Sequence, residues 1–447
     1  MKIGTPTFGE IQVAQNVRFR PSKSSNTQKL NRLTLLVTFA ITLIGGCGHA
    51  QPRPGIIVGS SMSPNLLGDH YFVTCSGCGF PYACDIEQAN ERPNLVCPNC
   101  GSKTDRSTCP TQLATSVEVQ MNGSPIERWD TVAFRLPSDV SPNGNSMAGV
   151  KRVVGLPGET IEFRDGQLFS NGCVVRKTID QQKAIRIPIH DSHYALPGNQ
   201  CWFIPADSDW RLGPSFQFQP NSVDKADVQW IEFQNRRNYS HESNDLQVGK
   251  LFPIEDFYAF NQSLSRDLNP MDDVFVALET TIPIGGILAW QFNHRGEIFE
   301  FQIQSQPFSL TVSSPNETIE SKLLKSDIEL KTDDPMTIEF SSFDLRLLVW
   351  VNGKKVFCHE LTESEQPVSS DLLKIGAANR PLVIERIRIW RDLYYMSDQD
   401  RRSSNPTTVA EDGYYVLGDN LPISIDSRHW KSPTLPKANV IGKVISW

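Results

Sequence analysis

Short runs of β-branched and aromatic residues, broken by turn signals, constrain the fold of this 447-residue chain more than any other feature. They fill residues 55–74 and 117–178 and return in the last 35 residues, with Gly-Asp and Pro-Gly pairs between them. Short strands separated by such turns predict a mainly β fold rather than a helical bundle. Because the stretches share one character, we expect a single β core split by insertions.

The longest interruption, residues 190–407, contains a second β pattern. Asn352-Gly353 lies between two apolar runs and predicts a two-residue type I′ hairpin. Apolar and polar residues alternate in two other runs, those of Phe299, Phe301 and Ile303 and of Val383, Ile387 and Ile389, with a break at Glu385. Strands of this kind predict a sandwich of two sheets. Residues 190 to 270 show little periodicity and support no assignment.

The first 32 residues carry six basic residues and one acid, Glu10, and residues 33–46 form an uncharged, mostly apolar run. Positive charge stays on the cytoplasmic side of a membrane, so residues 1–50 should tether the chain to the inner membrane with its bulk on the outer, periplasmic side. Membrane lipid is then a partner. A net charge of −7 leaves no positive field for phosphate backbones, so nucleic acid is not expected as a partner.

Two forms of tether fit the apolar run. As a helix it would span roughly 20 Å, less than the roughly 30 Å of a bilayer core, although flanking residues and local thinning could close the gap. It is then an uncleaved anchor. Alternatively, Ile44-Gly45-Gly46-Cys47 resembles the lipobox at which a bacterial lipoprotein is acylated on its cysteine.

Three segments contain side chains that are able to act as nucleophiles, bases or ion-pair partners. Residues 59–69 place Ser61 in a turn, residues 150–159 place Lys151 in an apolar strand, and residues 418–428 form a polar loop. Each has an ordinary interpretation by itself: a turn, an edge charge that alternation cannot assign to one face, and a surface ion pair.

Together and in this order, the segments resemble the conserved boxes of bacterial type I signal peptidases of family S26, and residues 128–134 resemble the remaining box. The resemblance implies a membrane-bound serine endopeptidase that cleaves the signal peptides of exported preproteins, with small residues one and three positions before the cut. It implies that Ser61 is the nucleophile and Lys151 the general base. It also implies supporting roles: Ser424 orients the lysine, Asp426 and Arg428 brace the site, and Asp419 is a supporting acid.

The chemistry requires these residue types. A serine hydroxyl must lose its proton to a neighbouring base as it attacks, and a lysine can accept that proton only when neutral. Burial in a strand of valines disfavours the charged amine. None of the eight histidines lies within the four boxes, and no catalytic cofactor is expected. The resemblance implies the Ser61 N–H as an oxyanion donor; Gly59 occupies the position of a second donor in some members.

Two departures from the family pattern lie in these boxes. Trp129 stands where the family usually has glycine, and Leu421-Pro422-Ile423 is more apolar than the usual run between the asparagine and serine of its box. Neither departure removes one of the reacting groups.

Four cysteines in residues 75–109 have the spacing of a metal site. Cys75-x2-Cys78 and Cys97-x2-Cys100 form two knuckles, a pattern that suits tetrahedral Zn²⁺ and resembles a zinc ribbon. The expected cofactor is therefore one structural Zn²⁺. The alternative is a pair of disulfides, because the segment would face an oxidising compartment.

Residues 340–353 and 387–395 resemble the laminin-G or concanavalin-like jelly roll inserted in signal peptidases of planctomycete-type bacteria. Such an insert implies a glycan or protein ligand, or a purely structural role. It also leaves an alternative function open: a non-catalytic cell-surface binding protein with a relic protease core. A self-cleaving Ser/Lys repressor is a third class, but it would need a DNA-binding helix-turn-helix and a soluble N-terminus.

The expected architecture is thus a β-barrel-like catalytic core interrupted by a zinc-ribbon-like insert and a jelly-roll β-sandwich, with an N-terminal membrane segment. We assign residues 51–74, 110–189 and 408–447 to the core, 75–109 to the ribbon and 190–407 to the sandwich region.

Overall fold

The computed structural model describes the chain in segments, and the account below concerns these residues: 17–19, 52–89, 92–121, 125–136, 148–194, 201–221, 227–236, 250–264, 266–305, 307–314, 334–395 and 405–446. The fold is mainly β, as predicted, with seven sheets and two short helices, α1 (Ile86–Ala89) and α2 (Ile179–Ile185). Four 3₁₀ turns complete it: Arg106–Thr108, Ser192–Tyr194, Ala259–Asn261 and Lys437–Asn439. No helix in these segments is long and apolar enough to cross a membrane. The predicted apolar run and Cys47 lie outside them.

An eight-stranded sheet carries the predicted boxes. Its strands, in spatial order, are β1 (Val17–Phe19), β2 (Arg53–Ile57), β8 (Ser116–Met121), β33 (Val440–Ser446), β9 (Thr131–Arg135), β10 (Ala148–Gly155), β31 (Gly413–Leu417) and β32 (Leu435–Pro436). Strand β1 also pairs with β10, through Val17 and Ala148. The sequence did not predict this strand, which belongs to the basic leader.

Strand β10 is buried along its whole length because both of its faces are covered. Val150 packs in one apolar cluster with Ile57 and Val119, whereas Val153 and Val154 belong to two other clusters. A strand covered on both faces reads as a continuous apolar run, which explains why alternation could not orient it.

Four small sheets surround this core. Two of them involve the Cys-rich segment: one contains its strand β4 (Pro81–Asp85) with the flanking strands β3 (His70–Thr74) and β7 (Thr111–Gln112), and the other contains β5 (Asn94–Val96) and β6 (Lys103–Asp105). The other two comprise β13 (Cys173–Val174), β12 (Gln167–Ser170), β11 (Thr160–Arg164) and β30 (Thr407–Thr408), and β19 (Ile254–Glu255) with β20 (Pro270–Met271).

Two larger sheets face each other as a sandwich, which confirms that prediction. One contains β16 (Trp210–Leu212), β17 (Phe216–Phe218), β29 (Leu382–Arg391), β21 (Val274–Thr281), β25 (Met336–Ser341), β26 (Arg346–Val351) and β27 (Lys354–Glu360), with β14 (Ile187–Asp191) paired to β29. The other contains β15 (Trp202–Phe203), β18 (Gln229–Phe233), β28 (Leu373–Ala378), β22 (Ile287–His294), β23 (Glu297–Gln304) and β24 (Ser309–Ser313). Buried side chains of both sheets form one core.

The hairpin prediction is confirmed, since Asn352 and Gly353 have φ of 48° and 75°, both positive as a type I′ turn requires. The predicted alternation holds in β23 and fails at one residue of β29. Val383 is only half-buried while Leu382 and Ile384 are buried. The reason is a β-bulge at Glu385, beyond which the inward positions change parity.

Candidate active site

Ser61 lies in a tight turn that follows β2, within the segment we call the Ser61 loop (residues 58–69). The turn is a short helical one, in which Leu66 N–H donates to Met62 O at 2.9 Å. Gly59 has a φ of 88°, and a Cβ on Gly68 would lie 2.6 Å from the Gly59 carbonyl oxygen. Glycine is therefore needed at both ends of the loop, which closes on itself and presents Ser61 toward β10.

Lys151 reaches Ser61 from the middle of β10. Its Nζ lies 2.6 Å from Ser61 Oγ, and both side chains are buried, at 3% and 6% exposure. Burial lowers the pKa of Lys151 to about 8; the Asp426 and Asp419 carboxylates oppose the shift and the Arg428 guanidinium adds to it. The amine is thus partly neutral in mildly alkaline solution, as a general base must be.

The loop after β31 forms a brace around a buried ion pair. Asp426 is fully buried and accepts hydrogen bonds from Arg428 Nε at 2.8 Å, Arg428 Nη2 at 2.9 Å and the Gly418 N–H at 3.1 Å. Burial by itself would raise the pKa of Asp426, but the Arg428 charge and hydrogen bonds from His429 and Arg428 hold it well below its usual range. Asp426 is therefore a permanent negative charge near Lys151.

Asp419 forms a second buried ion pair, with Arg152. The guanidinium donates from Nε at 2.7 Å and from Nη2 at 2.6 Å, and Asn65 Nδ2 adds a third bond at 2.8 Å. Asp419 thereby ties the Ser61 loop to β10. Sequence reasoning did not assign a role to Arg152 or Asn65, although both lie inside segments that it singled out. Their polar side chains in apolar surroundings were the signal that could have indicated buried polar contacts.

Ser424 is buried next to the Ser61 backbone. A Cβ on Gly418 would collide with both Ser424 Oγ and the Ser61 carbonyl oxygen, so glycine is required where these three residues meet. Among the described residues, Ser424 Oγ has no hydrogen-bond partner. The structure thus brings Ser424 to the site without a bond to Lys151, and its orienting role stays a prediction.

The sequence profile of the family described as signal peptidase, peptidase S26, matches residues 30–225 and 346–447, more than half of the chain. The chain belongs to the S26 signal peptidase family. No curated protein matches it.

Solved structures similar to parts of this S26 family member include the following three. Sheep galectin-11, in complex with glycerol, is 14% identical, with 27% of this chain and 90% of that one covered and a TM-score of 0.21. Carbohydrate-binding module CBM66 from Bacillus subtilis is 8% identical, with 43% and 92% covered and a TM-score of 0.23. The Emp47p carbohydrate recognition domain is 10% identical, with 46% and 95% covered and a TM-score of 0.26.

Trp129, the departure from the family's usual glycine, has a φ of 76°. The position therefore requires the left-handed backbone that glycine adopts without cost and other residues at roughly 1–2 kcal/mol. The indole packs at 6.1 Å from the Tyr395 ring and 5.0 Å from Lys177 Nζ, contacts that offset this cost. Its carbonyl accepts a hydrogen bond from Arg152 Nη1 at 2.8 Å, so this strained residue supports the Arg152–Asp419 pair.

The sandwich region also contributes to this S26 site, through the turn at Tyr258–Gln262. Tyr258 Oη donates to Asp419 O at 3.0 Å, and Asn261 pairs with Asn420. Sequence reasoning missed both residues, because isolated polar residues in an aperiodic stretch carry no pattern that assigns them to a site.

An apolar cavity of about 230 Å³ lies beside the Ser61 loop. Pro64 and Leu67 of this loop line it. Other lining residues include Phe80 to Ala83, Ile187 to Ile189 and Phe257 to Phe260. The cavity adjoins the loop that carries Ser61.

The four predicted metal ligands come together. Their Sγ atoms lie within 4.8 Å of one another, with Cys75 and Cys100 at 3.6 Å and Cys78 and Cys97 at 3.7 Å. These separations match the roughly 3.8 Å edge of a tetrahedron with metal–sulfur bonds of about 2.3 Å. The backbone N–H groups of Gly77 and Cys78 point to Cys75 Sγ at 3.4 Å, as in metal-binding knuckles. All nine cysteines among the described residues are free thiols, and this cluster is able to bind a metal ion.

Proposed function

We propose that this S26 protein is a signal peptidase I that cleaves signal peptides from exported preproteins with a Ser61/Lys151 dyad. The observation that carries the proposal is the 2.6 Å contact between Lys151 Nζ and Ser61 Oγ, made by an amine that burial shifts toward its neutral form. The membrane tether and outward-facing core expected from the leader would place the site where signal peptides emerge.

The dyad can carry both halves of peptide hydrolysis. As Ser61 Oγ attacks the scissile carbonyl carbon, the neutral Lys151 amine accepts its proton. The resulting ammonium then protonates the leaving amine, the C–N bond breaks, and an acyl ester on Ser61 remains. Lys151, neutral again, takes a proton from a water that attacks the ester, and returns it to Ser61 as the new carboxyl group departs.

The ionised side chains around Lys151 suit this cycle. The ammonium forms transiently, and the buried Asp426 and Asp419 carboxylates stabilise it. Because the Arg428 charge and hydrogen bonds hold the pKa of Asp426 well below its usual range, Asp426 does not compete with the lysine for the serine proton. The Arg428 charge acts in the opposite direction and lowers the pKa of Lys151, which keeps the lysine from becoming too basic.

The test is cleavage of a preprotein by the purified full chain in detergent. Ser61→Ala should abolish cleavage. Ser63→Ala is the matched control, since it removes a hydroxyl from the same loop whose Oγ has no hydrogen-bond partner among the described residues. Lys151→Arg should also abolish cleavage, because a guanidinium stays protonated. Cleavage that survives in Ser61→Ala would instead support the non-catalytic binding protein with a relic core.

We also propose that Cys75, Cys78, Cys97 and Cys100 bind one structural Zn²⁺, on the basis of their tetrahedral sulfur spacing. Metal analysis of the chain purified without chelator should give one zinc per molecule. Cys97→Ser should lose it and the exposed Cys173→Ser should keep it. Absence of zinc, together with a non-reducing mass spectrum that shows two disulfides among the four, would reject the metal site.

A further inference from the structure

Asn420 holds two consecutive carbonyl groups of the Ser61 loop. Its side-chain Nδ2 donates to Ser60 O at 2.9 Å, and its backbone N–H donates to Ser61 O at 3.0 Å. Asn420 is fully buried. The two peptide planes on either side of Ser61 are therefore fixed by one residue.

Fixing the Ser60 carbonyl also fixes the Ser61 N–H. The peptide bond is planar and trans, so the carbonyl of residue 60 and the N–H of residue 61 point in opposite directions. In the proposed reaction the Ser61 N–H donates to the oxyanion of the tetrahedral intermediate. The Asn420 side chain thus aims this donor without touching the substrate.

Asn420 is in turn oriented by Asn261, a residue of the sandwich region. Each amide nitrogen donates to the oxygen of the other, Asn261 Nδ2 to Asn420 Oδ1 at 2.5 Å and Asn420 Nδ2 to Asn261 Oδ1 at 2.9 Å. Asn261 is 4% exposed. A flipped Asn420 amide would turn its oxygen toward both Ser60 O and Asn261 Oδ1, so the reciprocal pair permits one orientation only.

The turn that carries Asn261 is itself held on both sides. Tyr258 Oη donates to the Asp419 carbonyl at 3.0 Å. Gln262 bonds the backbone of Val96 in the Cys-rich segment, accepting from its N–H at 2.7 Å and donating to its carbonyl at 2.8 Å. Asn261 is consequently presented to Asn420 from a fixed backbone.

We propose that Asn261 is a positioning residue for catalysis, which acts through Asn420 to aim the Ser61 N–H at the oxyanion. The inference rests on the proposed peptidase function. Since a positioning residue affects the transition state rather than substrate binding, its loss should lower kcat and leave KM unchanged. It should also leave the pH dependence unchanged, because Asn261 does not contact Lys151.

The experiment compares Asn261→Ala and Asn261→Asp with wild type in the full chain, on one preprotein. Removal of an oxyanion donor costs about 10²–10³ in kcat, and a donor that is misdirected but present should cost about tenfold to a hundredfold. Asn261→Asp keeps the shape of the side chain and its acceptor oxygen but replaces the N–H donors with an ionisable carboxyl oxygen, so it remains informative if the alanine variant does not fold. Gln229→Ala is the matched control: this amide of the sandwich region also makes two bonds to one residue, accepting from the Asp209 N–H at 2.7 Å and donating to the Asp209 carboxylate at 2.8 Å, and its loss should change stability without changing kcat.

A double variant tests whether Asn261 acts through Asn420. If Asn261 acts through Asn420, then Asn261→Ala combined with Asn420→Ala should lower kcat no further than Asn420→Ala alone. Multiplicative losses, an effect on KM alone, or wild-type kcat in both folded Asn261 variants would each overturn the proposal. A wild type that does not cleave at all would overturn the peptidase function and this inference with it, whereas cleavage lost in Ser61→Ala with Asn261 variants unaffected overturns this inference alone.

Discussion

Replacement of Lys151 by methionine should stabilise the folded protein near neutral pH while it abolishes cleavage. Methionine has nearly the same length as lysine and fills the same buried space on β10 without a charge. In wild type the protonated amine is desolvated at 3% exposure, and burial outweighs the attraction of Asp426 and Asp419. Folding therefore acts against the proton on this lysine.

The size of the effect follows from the pKa. It falls from an ordinary 10.5 to about 8 in the folded state, and each pH unit corresponds to about 1.4 kcal/mol. Below pH 8 both the folded and unfolded states are protonated, so the full penalty of about 3 kcal/mol applies. Between pH 8 and 10.5 only the unfolded state keeps the proton, so the penalty shrinks as pH rises. Loss of the bond to Ser61 costs about 1 kcal/mol, which leaves a net gain of about 2 kcal/mol at pH 7.

The assay is urea unfolding of wild type and Lys151→Met between pH 6.5 and 11 in one detergent. The difference between the two proteins cancels the tyrosines and cysteines that titrate in the same range. The methionine variant should unfold at higher urea at pH 7, and the order should reverse above about pH 10, where only the lost hydrogen bond remains.

Lys177→Met is the matched control. Lys177 is as deeply buried as Lys151, but Asp344 and Asp392 outweigh its desolvation and raise its pKa. Its replacement should destabilise the protein at pH 7, because two carboxylates lose their cation. The reasoning is refuted if Lys151→Met is also less stable than wild type at pH 7, or if the stability difference does not change with pH. Either result would mean that the folded protein does not lower the pKa of Lys151, as its role as general base requires.

Four further outcomes are expected. Because Lys151 has a pKa of about 8, kcat/KM should rise about tenfold from pH 7 to 9 and then level off, whereas a rate that still climbs steeply at pH 10 would indicate an unshifted lysine. Asp426→Asn leaves the Arg428 charge buried without its partner and should cost about 3–5 kcal/mol by urea unfolding; a loss below 1 kcal/mol would contradict the brace. Trp129→Gly relieves about 1 kcal/mol of backbone strain but removes a buried indole, a loss of about 3–5 kcal/mol, so its Tm should fall; a higher Tm would show that strain dominates. Mass spectrometry of the mature N-terminus should find either a diacylglyceryl Cys47 or an intact leader, and a freely soluble product with neither would refute the tether.

The parts of the fold that repeat with a short period were predictable. The side chains of a strand alternate between two faces, so the sequence of β23 contains the orientation of each residue in the sandwich. Asn352-Gly353 was predictable for a related reason, since its two positive φ angles suit few other pairs. At Glu385 the pattern failed because a bulge adds one residue and reverses the faces beyond it, and a bulge leaves no periodic signal of its own.

The dyad could be anticipated only by the family resemblance. Ser61 and Lys151 are separated by 90 residues, and strand alternation did not indicate that Lys151 faces the serine, since every residue of β10 is buried. What brings them together is the long-range pairing of the sheet, which no local pattern encodes. Arg152 follows the same logic, since it and its partner Asp419 lie 267 residues apart and meet only in the folded sheet.

The role of Asn261 could not be predicted from the sequence, because neither periodicity nor family resemblance indicates it. It meets Asn420 across 159 residues of chain, and a buried amide without its partner costs about 1–3 kcal/mol. Each asparagine therefore requires the other to be in place before burial is favourable. Because Asn420 also holds the Ser60 carbonyl, the turn that carries Asn261 contributes to the geometry of the Ser61 loop, although it belongs to the long insertion in the sequence.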